Sequence, residues 1–200
     1  MATLSVGYFE NRYIGGKPSK ELKALLATAY DRVVEVLSID DVEVFMKTDC
    51  FYNPFRYRGG IRGNDFLIDG AEVMFLDVDG VSKLTFEDLL GSNYFLLGLI
   101  SSYNSVVTTT SNQSDTSKFR VAVMLDTPIS KDDYTLLSGY LNNLLEADQA
   151  LRRPSQPIFG YHPSTTMFKN NRGVNLPVAD FFKDVQLQSS DSEDRKPTKY

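Results

Sequence analysis

Gly70-Ala71-Glu72-Val73-Met74-Phe75-Leu76-Asp77-Val78-Asp79-Gly80 is the stretch on which the reading of this chain turns. Glu72 to Val78 is a short, mostly apolar run between glycines, the pattern of a strand covered on both faces. On a strand, positions i and i+2 share a face, so Asp77 and Asp79 present two carboxylates side by side, roughly 7 Å apart at Cα. Two hard oxygen donors at the carboxyl end of an interior strand can hold Mg²⁺ or Mn²⁺ and leave open positions for water and phosphate oxygens. A cation would also relieve the repulsion between the two acids. The plainer reading is a strand end whose acids are solvated or cap the next turn; the apolar lead-in Val73 to Leu76 weighs against it.

Outward from this strand, the chain reads as alternating strands and helices, an α/β (α+β) fold with an open sheet and packed helices. Leu4 to Phe9 is a short strand closed by Gly15 and Gly16. Ser19 caps a helix on which Leu22, Leu25, Leu26, Ala29, Val33 and Leu37 fall on one face. Residues 49 to 66 keep neither period and read as a surface loop or irregular hairpin. Thr85-Phe86-Glu87-Asp88 and Ser130-Lys131-Asp132-Asp133 are capping boxes that open helices, the second carrying Tyr134, Leu137, Leu141, Leu144 and Leu145 on one side. Ser105 to Thr110, Phe119 to Leu125 and, last, Ile158 to Tyr161 are further strands. One domain over 1–187 is expected, followed by a polar, disordered tail over 188–200.

The composition permits a proper core: 200 residues, 42% hydrophobic and 24% charged. A net charge of −5 argues against a protein that coats nucleic acid by bulk electrostatics, so any grip on a polyanion is local. Cys50, the one cysteine, allows no internal disulfide or cysteine zinc site, and it reads as a space-filling thiol in a reducing compartment. No signal peptide or stretch of roughly 18 apolar residues is present, so a cytoplasmic protein with no membrane partner is expected. His162, the one histidine, stands at a strand end and reads as a structural or exposed side chain.

Phe51, Tyr52, Phe55 and Tyr57 interleave with Arg56, Arg58 and Arg62. Aromatics stack bases while guanidinium groups pair phosphates, so Tyr52, Phe55, Arg56, Arg58 and Arg62 are candidates to hold a single strand. The alternative is a loop whose aromatics pack on the core. Lys118 and Arg120, flanking the expected site, are candidates to contact a nucleotide's phosphates.

Asn64-Asp65-Phe66, Val73 to Gly80, Thr108 to Gln113, Phe119 to Ile129 and Arg153-Pro154-Ser155-Gln156 occur in an order that resembles the archaeo-eukaryotic primase superfamily, especially the primase-polymerases of phages and plasmids. The resemblance covers roughly residues 60 to 163 and lies in the succession rather than in one motif. It implies a primase-polymerase-like domain with an RRM-like catalytic core and nucleotidyl transfer in DNA replication. Asp77 and Asp79 would bind the catalytic Mg²⁺ or Mn²⁺, and Phe119 to Ile129 would pack behind the site. Its partners would be nucleoside triphosphates, a single-stranded DNA template and a separate replicative helicase, in a bacterial or phage-infected host cytosol. Ser111 and Asn112 stand where the family contacts the incoming nucleotide, with Asn112 in place of a histidine. Arg153 stands near the family's third carboxylate; Asp148, Asp126 and Asp133 are the replacements, of which Asp148 is carried forward as a metal ligand.

These departures imply weakened catalysis, or a module that binds single-stranded DNA or nucleotides without turnover. Phe75-Leu76-Asp77-Val78-Asp79-Gly80-Val81 also resembles the first motif of haloacid-dehalogenase-like phosphatases, in which Asp77 would be the nucleophile. Some 70 residues precede it here, and no later Gly-Asp-x-x-x-Asp follows.

Overall fold

Successive side chains along Ala71–Asp79 meet different layers. Val73 and Phe75 enter a core with Leu4, Val6, Val36 and Tyr52, whereas Met74, Leu76 and Val78 enter another with Phe86, Leu96, Leu99 and Leu137. A strand buried on both sides is the middle of a three-layer structure. The computed structural model describes residues 2–8, 21, 30, 32–68, 70–79, 84–110, 115–145, 149–161 and 164–183. Its strands are β1 (Ala2–Tyr8), β2 (Arg32–Val36), β3 (Cys50–Asn53), β4 (Arg56–Tyr57), β5 (Leu67–Ile68), β6 (Ala71–Asp79), β7 (Ser105–Thr109), β8 (Lys118–Ile129), β9 (Ile158–Phe159) and β10 (Thr166–Asn170). The helices are α1 (Ile39–Met46), α2 (Phe86–Ser92), α3 (Tyr94–Ser102) and α4 (Lys131–Leu145).

The first sheet runs β2-β1-β3-β9 and the second β10-β7-β8-β6; β4 and β5 form a separate two-stranded flap. Every pairing within them is antiparallel. The first sheet and α1 cover one face of the second, and α2, α3 and α4 cover the other. From β6 through α2–α3, β7, β8, α4 and β10, with the two-residue β9 set aside in the first sheet, the chain follows the β-α-β-β-α-β succession of an RRM-like core. The sheet order β10-β7-β8-β6, however, puts its first strand at the edge rather than in the middle. An antiparallel sheet excludes the phosphatase reading, because that family's Rossmann-like domain is built on parallel strands.

Both expected capping boxes are present. Asp88 N–H donates to Thr85 Oγ at 3.2 Å, and Asp133 N–H donates to Ser130 Oγ at 3.1 Å. The helix expected to reach Leu37 does not: 32–36 is β2, paired with β1 from Ala2↔Val36 to Val6↔Arg32. Val33, Val34 and Val36 are β-branched and pack well on a pleated surface, so sheet pairing overrides the helical spacing. Residues 22–29, the rest of that expected helix, lie outside the described residues, as do His162 and 184–200 with the expected tail. Ile158–Phe159 is not the final strand, since β10 follows and pairs with β7. No helix among the described residues is long and apolar enough to cross a membrane.

Two contacts fix the layers near the site. Gly160 lies where β9 leaves the first sheet, its N–H donating to Cys50 O at 2.9 Å, while Tyr161 N–H donates to Met46 O at 3.0 Å. A Cβ there would fall on the carbonyl oxygens of Phe45 and Thr48. On the other side, Glu43 of α1 accepts from Thr166 Oγ, from Lys169 Nζ at 2.9 Å and from Lys47 Nζ at 3.5 Å. Burial works against its charge, but these donors outweigh it and hold its pKa below the usual 4.5.

Gly160→Ala is expected to cost about 3 kcal/mol, the upper range for overpacking, because backbone rather than a side chain must yield; denaturant unfolding reads it. Glu43→Gln is expected to cost about 1 to 2 kcal/mol at neutral pH. Because the folded pKa is depressed, the wild-type advantage is complete above the unfolded value of 4.5 and fades as pH falls below it, so the two unfolding curves converge in acid.

Candidate active site between the two sheets

Strand register brings the two acids opposite two bases. Asp77 pairs with Arg120 and Asp79 with Lys118 across β6 and β8, all on the face turned toward the first sheet. Arg120 Nε donates to Asp77 Oδ1 at 2.6 Å, and Nη2 donates to Oδ2 at 2.9 Å, a two-pronged ion pair. Its Nη1 reaches the first sheet, donating to Tyr52 Oη of β3 at 3.1 Å and to Phe159 O of β9 at 2.8 Å. Lys118 Nζ stands 4.0 Å from Asp79 Oδ1. Exposure rises steeply along this row: the Arg120 and Asp77 side chains are 10% and 21% exposed, those of Lys118 and Asp79 42% and 54%. The outer pair faces solvent and the inner pair is largely buried between the sheets.

Burial opposes the charge on Arg120, but the Asp77 carboxylate and the Tyr52 hydroxyl outweigh it, and its pKa lies above the ordinary arginine value. Arg120 was expected to contact nucleotide phosphates; the structure instead commits its guanidinium to Asp77, Tyr52 and Phe159. Lys118 keeps a half-exposed side chain at the solvent end of the row. Ser111 and Asn112 lie outside the described residues, in the connection between β7 and β8 whose ends meet at Thr110 N–H to Lys118 O, 3.1 Å. That connection starts beside the outer pair.

The stretch carrying Arg153 and Pro154 is anchored here as well. Asn53, 1% exposed at the end of β3, donates through Nδ2 to Pro154 O and Gln156 O, each at 2.9 Å. Leu151 is buried in the core between the two sheets. Asp148 lies outside the described residues, three positions before Leu151. The other two expected replacements for a third carboxylate lie elsewhere. Ile129 pairs with Ala71, so Asp126 belongs with the start of β6, about 20 Å from Asp77 along the strand, and Asp133 is committed to the first turn of α4. Asp126 instead accepts from Val178 N–H at 3.1 Å, and Asp133 caps α4.

Of the five residues expected to grip nucleic acid, two cannot do so as imagined. Tyr52 and Phe55 are fully buried and offer no ring face to a base. Tyr52 lies against Phe75 and supports Arg120; Phe55 meets the Tyr134 ring edge-on at 5.2 Å. Arg56, Arg58 and Arg62 are exposed on the flap. What sequence reasoning missed is the role of Tyr52 and of the Phe159 carbonyl as partners of Arg120. Neither had a local signal, because three separate strands bring them together.

For a divalent cation, the donor chemistry fits at two positions. Each Asp77 oxygen accepts one guanidinium N–H and has two lone pairs, so acceptor capacity remains, and Asp79 is open to solvent. Two acids and two bases give the described cluster no net charge, however, and among the described residues no group of three or more His, Cys, Asp or Glu could hold a metal. Asp148, the third ligand expected from the sequence, lies outside the described residues.

No family model matches the sequence, and no curated protein does. Among solved structures, the chain is similar to the AEP (archaeo-eukaryotic primase) domain of the cyanophage S-2L primase-polymerase: 10% identity, 91% of this chain and 88% of that chain, TM-score 0.51. It also aligns with the polymerase domain of Mycobacterium tuberculosis ligase D in complex with DNA, at 12% identity, 72% of this chain, 60% of that chain and a TM-score of 0.40. The first likeness defines the class of architecture: this is an AEP-type fold.

Arg120→Met is expected to destabilise by about 3 to 5 kcal/mol, because Asp77 is left charged and partly buried without its partner. Asp77→Leu combined with Arg120→Met should recover much of that loss, and Tyr52→Phe should cost about 1 kcal/mol. Unfolding free energies of these three variants and of Asp77→Leu alone decide this; a loss in the double variant equal to the sum of the Asp77→Leu and Arg120→Met losses would show that the pair is not coupled.

Proposed function

We propose that the chain is a primase-polymerase-like nucleotidyltransferase that extends a strand on a single-stranded DNA template with Mg²⁺ or Mn²⁺. The observation that carries this reading is the row Asp79–Lys118 and Asp77–Arg120 on the face of the second sheet turned toward the first, within an AEP-type fold. Asp77, Asp79 and Asp148 would hold the cation. When bound, it would stabilise charge on the attacking 3′-hydroxyl oxygen, on the α-phosphate and on the leaving pyrophosphate.

The chain's own residues divide the remaining work. Arg120, pinned from three strands, aims the Asp77 carboxylate and prevents it from rotating. Lys118 sits close enough to Asp79 to neutralise it at rest and is exposed enough to turn toward a triphosphate, which it would bind as a point charge. Ser111 and Asn112, in the adjoining connection, would supply neutral hydrogen bonds to the same phosphates. Because the described cluster is electrically balanced, free divalent ions gain little from it. A nucleotide that arrives with its cation brings the missing negative charge.

A second reading rests on Arg120. A guanidinium already satisfying Asp77 lowers that acid's appetite for a cation, which favours a module that holds single-stranded DNA or nucleotides without turnover. Incorporation separates the two. Template-dependent addition of labelled nucleotides is expected with Mg²⁺ or Mn²⁺, and Asp77→Asn or Asp79→Asn should reduce it about a hundredfold or more. Lys118→Ala should raise the nucleotide KM about tenfold with little change in kcat, as for a group that binds ground and transition states alike. Retained DNA binding with no incorporation by the wild-type chain would establish the binding module instead.

A further inference from the structure

The flap of β4 and β5 holds chemistry that the Asp77 site does not use. Residues 56–68 contain three arginines and one acid, Asp65, in a chain whose net charge is −5. Arg56, Arg58 and Arg62 are all exposed, and so are apolar neighbours: Ile61 is 50%, Phe66 39% and Ile68 38% exposed. Arg56 pairs with Ile68 across the flap, so a cation and an apolar side chain share one face. Exposed aliphatic and aromatic groups among arginines are costly in water and useful against a ligand with both charged and flat apolar parts.

The flap stands on a stiff support. The Tyr30 and Tyr57 rings are stacked, 4.7 Å apart and 7° from parallel, with Phe51 edge-on to Tyr30 at 5.2 Å. Tyr30 N–H donates to Gly60 O at 2.7 Å. Gly59 and Gly60 turn the tip with φ of +65° and +72°, where L side chains are strained, and they leave the rim without bulk. Between the flap and the first sheet lies a cavity of about 240 Å³ lined by Ser5, Tyr30, Arg32, Val33, Tyr57 and the two glycines, none of them acidic. The Tyr30 and Tyr57 hydroxyls are buried beneath it beside one another, and burial raises the pKa of both above the ordinary tyrosine value.

We propose that this outer surface is a track for single-stranded nucleic acid, in which Arg32, Arg56, Arg58 and Arg62 engage phosphates and Phe66 stacks a base. The naming of a nucleic-acid strand rests on the nucleotidyltransferase reading; the surface itself is distinct from the Asp77 site. Guanidinium groups match phosphate geometry, aromatic faces accept any base, and a glycine rim lets a backbone approach closely. A duplex groove-reader would present a helix or a long ribbon, which the two-residue strands of the flap do not.

The test is fluorescence anisotropy with a labelled oligo(dT) of about 15 nucleotides, close to the upper site size of a single-strand-binding module, across a series of salt concentrations. Relative to wild type, R56Q/R58Q/R62Q is expected to bind tenfold or more weakly and to flatten the log–log salt slope by about 2, from three lost phosphate contacts. Phe66→Ala should weaken binding fivefold or more and leave the slope unchanged. Single Arg58→Gln, at an exposed position, provides a milder variant, and melting curves verify that each protein is folded. Wild-type affinity and slope in all three variants would overturn the track while leaving nucleotide incorporation, measured at saturating template, as the separate measure of the nucleotidyltransferase reading. Loss of oligonucleotide binding in the flap variants with no incorporation by wild type would uphold the track and overturn the transferase.

Discussion

The buried Arg120 guanidinium is the joint on which this molecule turns. Four of its N–H groups are satisfied at once, two by Asp77 on the neighbouring strand and two by Tyr52 and Phe159 on the opposite sheet. A guanidinium withdrawn from water is tolerated only when charge and hydrogen bonds are returned to it in good geometry. Both sheets must therefore keep their relative position within the tolerance of a hydrogen bond, a few tenths of an ångström. Apolar side chains of similar volume would hold the sheets together at least as well. What the ion pair adds is direction: it fixes one carboxylate between the sheets, beside a more exposed neighbour.

The gradient from the inner to the outer pair has an electrostatic consequence. Asp77 and Arg120 interact across little water and are poorly screened, whereas Asp79 and Lys118, both about half exposed, interact weakly and are easily exchanged for other partners. One half of the row is structural and the other is available. A polyanion approaching an acidic protein is repelled on average, so a site for phosphate has to present its cation locally. Lys118 is the half-exposed cation of the row, and the flap arginines are exposed on the far side of the first sheet.

The apolar run Glu72 to Val78 between glycines was enough to predict a strand covered on both faces, and strand geometry then put Asp77 and Asp79 on one side. The capping boxes at Thr85 and Ser130 were legible for the same reason, each being a contact over three residues. Long-range contacts were not legible. Val33 and Leu37 continued a leucine spacing that suits a helix, and only pairing with β1, some 30 residues earlier, makes 32–36 a strand. Tyr52 and Phe55 illustrate a second limit: an aromatic that stacks a base and one that fills a core are the same residue type, and alternation in a four-residue strand buried at every position carries no signal. The commitment of Arg120 to Asp77 was hidden because it depends on the register of two strands 43 residues apart.

β9 shows how few residues can tie two regions of the fold together. In a strand of two residues the side chains necessarily diverge: Ile158 enters the core between the sheets, and Phe159 joins Tyr30, Phe51 and Tyr57 under the flap. The Phe159 carbonyl meanwhile accepts from Arg120. The base of the flap and the joint of the Asp77 site thus share one peptide unit, and Gly160, wedged against the end of α1, fixes where that unit can lie. A shift of β9 large enough to repack the tyrosine cluster would lengthen a charge-assisted hydrogen bond to Arg120, whose two-pronged hold on Asp77 tolerates little rotation. The flap and the acidic pair are on opposite faces of the first sheet, yet the packing does not let either move independently of the other.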